Sequence, residues 1–218
     1  TNASHKPQRF KRVSSTLANN PKNNTIDHKH EKPASMQITQ SSIPDLLIAK
    51  STSFKDHRGS LTRLFCLDAL SAFTNIKLIT QINLSRTLEV GSVRGLHFQQ
   101  PPHAEQKMVR CLKGRVWDVV LDLRAGSNTF LKWHAQELSS DEFTMIFIPE
   151  GFAHGFQVLE EGSEMLYLHT ANYEPTAQGG VRPDDPMLNI NWPLPIVNLT
   201  ATDKSHALLT ANYQGITV

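Results

Sequence analysis

Between residues 46 and 170 the apolar side chains come in short runs or in alternation, and text with a helical period is scarce. The runs cover residues 46–49, 61–65, 76–84, 108–112, 116–123, 130–138, 144–148, 155–159 and 165–170. Turn-forming clusters close most of them: Asp56-His57-Arg58-Gly59, Lys113-Gly114, Ala125-Gly126-Ser127 and Pro149-Glu150-Gly151. Strand-length runs bounded by such clusters predict an all-β sandwich or barrel. No repeat of fixed period is present, which argues against a propeller or solenoid. Short helical segments are expected at 67–73 and at 204–209, the latter with Asp203 near its start.

A chain of 218 residues, 39% hydrophobic and 19% charged, has material for one packed domain. Its net charge of +2 is uneven: residues 1–35 carry seven Lys/Arg against two acids, which leaves the remainder at −3. Residues 1–35 therefore predict a disordered, basic N-terminal extension, and residues 36–218 a compact domain. The extension can be read as a polyanion-binding arm, but its composition favours a plain mobile tail; His5, His28 and His30 are too scattered for a metal site. A mildly acidic body argues against a nucleic-acid partner. No apolar run reaches transmembrane length and the N-terminus lacks the apolar core of a secretory signal, so no membrane partner and a cytoplasmic location are expected. Cys66 and Cys111 sit in apolar runs and read as reduced thiols rather than a bridge.

Three segments carry chemistry: Arg94-Gly95-Leu96-His97-Phe98-Gln99 with Gln106-Lys107-Met108-Val109-Arg110, then Pro149-Glu150-Gly151-Phe152-Ala153-His154-Gly155-Phe156, then Met165-Leu166-Tyr167. In a small barrel every second strand residue points inward, and an inward polar group must find a partner or line a pocket. Taken singly, each residue has a blander reading: a structural histidine, a core tyrosine, a solvent-facing lysine. Their density in a β-rich chain shifts the balance toward a site.

Pro149-x-Gly151-x-x-His154 resembles the second motif of metal-binding cupins. The first motif is incomplete: Gln99 stands where its second histidine belongs, and Lys107 where its glutamate belongs. A protonated ammonium has no lone pair for a metal. The pattern therefore predicts a cupin with no metal and no cofactor, using a fixed positive charge.

These segments, with Gly114-Arg115-Val116-Trp117-Asp118-Val119 and Asp184-Asp185-Pro186…Trp192-Pro193, closely resemble the dTDP-4-dehydrorhamnose 3,5-epimerase family, in the same order from about residue 48 to 209. The resemblance implies a double-stranded β-helix, the cupin jelly roll. It implies inversion of C3, C5 or both in a nucleotide-diphospho-4-keto-6-deoxyhexose, in a homodimer that shares site residues between subunits. An enolate mechanism needs a base, an acid on the opposite face and positive charge near the oxygen. By resemblance His97 is the base and Asp203 its partner, Tyr167 the proton donor, and Lys107 the cation near the enolate. On its own, Asp203 reads as a helix cap.

The resemblance further implies that Arg58 grips the diphosphate and that Gln81 and Asn83 line the site. Arg94 holds either the base or a phosphate, and His154 is a structural or a substrate contact. The chain departs from the family's usual Arg-Gly-Phe-Phe-x-Glu, reading Arg58-Gly59-Ser60-Leu61-Thr62-Arg63. Arg63 is either a second cation for the diphosphate or a solvent-facing residue, so the nucleobase stays open among dTDP, CDP and GDP. Tyr167-Leu168-His169 replaces Tyr-Lys-Thr, and Gln178 and Pro183 replace a glutamate and a tryptophan at the nucleotide side or pocket rim. Rival activities are a mono-epimerase, a ketoisomerase or a non-catalytic sugar-nucleotide binder.

Overall fold

The computed structural model describes residues 35–218 and folds them into two antiparallel sheets that share an apolar interior. The first sheet runs in the order β1 (Met36–Gln40), β2 (Leu47–Ser51), β10 (Thr144–Ile148), β7 (Lys107–Lys113), β12 (Ser163–His169) and β5 (Gln81–Thr87). The second runs β13 (Gln178–Gly180), β6 (Val93–Gln99), β11 (Phe152–Val158), β8 (Arg115–Asp122) and β9 (Trp133–Ser139). A separate hairpin joins β3 (Ser53–Asp56) to β4 (Gly59–Thr62). Only two short α-helices are present among the described residues, α1 (Leu67–Ser71) and α2 (Ala201–Ser205). The fold is the all-β cupin jelly roll.

Strand alternation explains why so much of the sequence reads as unbroken apolar text. In β10, Ile146 and Ile148 face the space between the sheets, while Met145 and Phe147 face outward under Leu70 of α1 and Phe65. On the second sheet Val116 and Val120 point inward; Val119 and Leu121 point outward beneath Leu188 and Ile216 of the C-terminal segment. The central strands of both sheets are thus covered on both faces, and each fully buried aliphatic side chain contributes roughly 1.5–3 kcal/mol.

The same alternation changes character along individual strands. Inward Cys111 and Val109 are followed, two residues toward the start of β7, by Lys107; inward Met165 is followed along β12 by Tyr167 and His169. Phe152 and Phe156 share a face of β11 with His154. One end of the interior is therefore a dry core, and the other is lined with ionisable groups.

Several local expectations shift. Strands β1 and β13 and the hairpin strand β3 are mostly polar, and pairing with neighbours rather than their own pattern makes them strands. The C-terminal helix lies at Ala201–Ser205 instead of 204–209, because the Thr200 hydroxyl accepts from Asp203 N at 3.0 Å and caps it. Asp203 is therefore inside the first turn and is not the cap, which leaves its carboxylate free for another partner. Cys111 is buried and Cys66 half-buried, both as free thiols. The reading of the basic N-terminal extension falls outside the described residues, apart from Ser35, which pairs with Thr52. No helix among the described residues is long and apolar enough to cross a membrane.

Candidate active site

A cavity of about 810 Å³ opens at the polar end of the interior. His97, Arg94 and His154 line it from the second sheet, and Asn83, Lys107, Tyr167 and His169 from the first. Asp203, Glu105, Tyr173 and Gln178 complete the wall. The volume suits a mid-sized polar ligand.

Two glycines bring the histidine strands together. His97 of β6 stands opposite His154 of β11. Gly95 has φ +125°, and a Cβ on it would meet Gly155 Cα at 2.6 Å; a Cβ on Gly155 would meet Arg94 O at 2.5 Å. Both positions admit only hydrogen, which is why the two histidine motifs each carry a glycine within two residues of the histidine.

His97 Nε2 donates to Asp203 Oδ1 at 2.6 Å. The imidazole is about one-third exposed at 35%, whereas Asp203 is almost wholly enclosed at 2%. Burial pushes the His97 pKa below its ordinary 6.5, and the pull of Asp203 in the other direction does not fully compensate. His97 is accordingly a neutral imidazole at neutral pH, with the proton held on Nε2 and Nδ1 left to accept one.

Tyr167 comes from the opposite sheet and packs against the apolar interior. Its ring meets His154 edge-on, with centroids 6.0 Å apart, and stacks on His169 at 5.8 Å. Burial drives its phenol pKa well above the usual 10, so it stays a neutral, protonated phenol throughout the physiological range. His154 donates through Nε2 to Asp118 Oδ2 at 2.8 Å, and both are buried. A structural bond thus fixes one nitrogen of His154 while the ring still lines the cavity.

Lys107 is not the solvent-facing strand residue that its type suggests. Its ammonium lies 3.1 Å from Glu105 Oε1, with side-chain exposures of only 10% and 7%. It also donates to the carbonyl oxygen of His97 at 3.3 Å. The other Glu105 oxygen accepts from His169 Nδ1 at 2.7 Å, and Asn83 Nδ2 donates to His169 Nε2 at 3.4 Å. Burial raises the Glu105 pKa, but His169 and Lys107 outweigh it and hold the carboxyl below its usual 4.5. Glu105 is therefore an anion between two side chains, and it anchors Lys107 in the cavity wall beside the His97 carbonyl.

Of the residues expected from the sequence, His97, Tyr167, Asp203, Lys107, Asn83, Arg94, His154 and Gln178 meet around the one cavity. Arg94 Nε donates to Thr87 Oγ1 at 2.7 Å, and the Tyr173 hydroxyl bonds Gln178 Oε1. Gln81 sits beside a small adjoining recess with Asn83 and His169. Arg58 and Arg63 do not line the cavity in this chain. Arg58 is 77% exposed on the β3–β4 turn and pairs with Asp56, and Arg63 is exposed, with its carbonyl bonded by Ser51. Glu105, Asp118 and Tyr173 are not among the residues the sequence singles out, and His169 enters there only as a departure from the family pattern at the nucleotide side or pocket rim. Their signal was parity: Glu105 and Lys107, like Tyr167 and His169, are two residues apart, and Asp118 lies between inward Val116 and Val120.

The usual cupin metal positions do not offer a donor set here. The Gln99 amide is consumed by His103 O, Asn172 O and Glu174 N, and Lys107 is a cation in an ion pair.

A family model described as dTDP-4-dehydrorhamnose 3,5-epimerase matches residues 40–211. The chain is 36% identical over 176 residues to the dTDP-4-dehydrorhamnose 3,5-epimerase of Salmonella typhimurium, covering 80% of this chain and 96% of that one. It superposes on a Legionella pneumophila dTDP-6-deoxy-D-glucose-3,5-epimerase in complex with dTDP-4-keto-L-rhamnose, with a TM-score of 0.77 and 32% identity, covering 84% of this chain and 100% of that one. A 3'-monoepimerase from Streptomyces bikiniensis in complex with dTDP-quinovose is also similar, with a TM-score of 0.72 and 28% identity, over 77% and 85% of the two chains. Fold, cavity chemistry and both kinds of similarity agree, and the chain belongs to the dTDP-4-dehydrorhamnose 3,5-epimerase family.

Proposed function

We propose that this protein epimerises dTDP-4-dehydro-6-deoxy-D-glucose at C3 and C5 to dTDP-4-dehydro-L-rhamnose, without metal or cofactor, in deoxysugar synthesis. The observation that carries the reading is the pairing of a neutral, Asp203-bound His97 on one sheet with a protonated Tyr167 on the other. A sugar ring held between them presents one face to a base and the other to an acid. His97 Nδ1 removes the proton beside the C4 ketone, and the electron pair moves onto the ketone oxygen as an enolate. Lys107 stabilises that oxygen; a charge in a narrow cavity counts for more than in bulk water. Tyr167 returns a proton to the carbon from the opposite face. Solvent then reprotonates the phenolate and collects the proton from His97.

In this reading Asn83, Arg94 and Gln178, which line the cavity, and Gln81, beside the adjoining recess, take up the diphosphate and nucleoside. Arg58 and Arg63 reach a site only if a second subunit supplies them. Exposed Ile82 and Leu84 on edge strand β5 give that subunit an apolar surface. The active unit in this reading is a homodimer whose two cavities are each finished by the partner's arm. A nucleotide-sugar substrate and free Cys66 and Cys111 fit a reducing, cytoplasmic setting.

Similarity to a 3'-monoepimerase favours a second reading, inversion at C3 alone. Proton NMR in deuterated water with dTDP-, CDP- and GDP-linked 4-keto-6-deoxyglucose separates the cases. Deuterium at C3 and C5 with formation of the rhamnose isomer supports the first reading; deuterium at C3 alone supports the second. No exchange with any of the three would overturn both.

A further inference from the structure

His206 follows α2 directly and brings a second imidazole to the Asp203 side of His97. Its Nε2 is buried and has no hydrogen-bond partner among the described residues. Room for the ring comes from Gly180 on β13, where a Cβ would collide with the imidazole. Donor atoms of His97, Asp203 and His206 all lie within 4.8 Å of one another. This cluster is distinct from the cupin positions considered above: it uses the far side of His97 and the C-terminal segment.

Two imidazoles and a carboxylate are the donor set of open, three-ligand zinc sites. Such borderline donors select late first-row divalent ions over magnesium and calcium, which prefer oxygen cages. We propose that His97, Asp203 and His206 form a binding site for a zinc-type divalent ion, and that occupancy switches the enzyme off. The switching part rests on His97 being the base.

The chemistry follows from proton placement. In the metal-free site His97 carries its single ring proton on Nε2 and donates it to Asp203, so Nδ1 keeps a lone pair. A metal ion takes the Nε2 lone pair and occupies the place of that proton. The neutral ring keeps one proton, which moves to Nδ1; none is released. Nδ1 then has no lone pair and cannot accept a proton from the sugar. His206 binds through Nε2 with its own proton on Nδ1, and Asp203 binds as a carboxylate. The Lys107 ammonium, bonded to the His97 carbonyl oxygen, adds a positive charge near the site.

The test is a calorimetric titration of the full chain with zinc chloride, with magnesium and calcium chlorides as controls. Long-range proton–nitrogen NMR of the His97 ring accompanies it. The expected result is one zinc whose affinity falls at least about tenfold in His206→Gln, no matching magnesium or calcium binding, and conversion of His97 from the Nε2–H to the Nδ1–H tautomer. Deuterium wash-in should stop at stoichiometric zinc and return with EDTA. Zinc binding that is unchanged in His206→Gln, as binding by tail histidines would give, overturns the site. So does a wild-type His97 tautomer that ignores zinc, and that observation needs no variant. Binding and tautomer are read without substrate, so a protein that passes both yet exchanges no sugar proton loses the epimerase reading and keeps the site.

Discussion

Glu105 holds Lys107 with one carboxylate oxygen and His169 with the other, at 3.1 and 2.7 Å. An enclosed cation needs a partner to offset its lost hydration, and Glu105 supplies it. Glu105→Ala removes the anionic partner of Lys107 and His169 in a buried setting and is expected to cost about 3 kcal/mol of stability, measurable by urea unfolding.

The sign of the pH dependence follows from the depressed Glu105 pKa. A carboxyl held below its unfolded value stabilises fully above about 4.5, and that contribution is lost as pH falls through the lower folded value. Unfolding free energies of wild type and Glu105→Gln should therefore differ at pH 7 and converge in acid. Curves that stay parallel down to pH 3 would remove Glu105 from this role.

His97→Asn should reduce deuterium wash-in by roughly 10²–10⁴-fold, the usual contribution of a positioned general base. Asp203→Asn should be milder in rate but informative in pH. Burial lowers the His97 pKa and Asp203 raises it, so the wild-type acid limb of kcat/KM should lie below pH 6.5. Removing the Asp203 charge should move that limb to still lower pH. A limb that moves upward contradicts the pairing seen here.

Tyr167→Phe removes one hydroxyl from a ring that is otherwise packed in place. Net inversion should fall by about 10²-fold or more while exchange at the abstracted proton persists, because the base is intact. Equal losses of exchange and inversion would assign Tyr167 to packing alone.

The shared-site reading has a direct check. Arg58→Ala and His97→Asn chains should each be inactive or weak as homodimers. Mixed dimers contain one cavity with both defects and one with neither. Co-expression should restore activity well above either parent; failure to do so would confine each site to one subunit.

Much of the fold was legible because burial wrote it plainly: residues 144–148 coincide with β10, and 108–112 and 116–123 overlap β7 and β8 almost entirely. Strands β1, β3 and β13 were not, since their residues are polar and only a neighbouring strand holds them. That His97, Lys107, Tyr167 and Asp203 gather at one cavity was legible through the two glycine-marked histidine motifs and their family resemblance. Its supports were less so. Asp118 and His154, or Glu105 and His169, are far apart in sequence, and ordinary-looking charges become partners only when sheets stack. Thr200 took the cap that Asp203 was expected to fill, and a single hydroxyl decides between those roles.

His97 and Tyr167 stand on different sheets, and this has a mechanical consequence. The gap between His97 and Tyr167 is whatever the sandwich spacing makes it, on the order of 10 Å between sheets. That spacing is set at the dry end, by side chains such as Val109, Val120 and Leu138. The apolar half therefore acts as a caliper for the polar half. Enlarging or shrinking a valine far from the sugar would open or close the jaws on it, tuning turnover and the choice of carbon without touching a catalytic group.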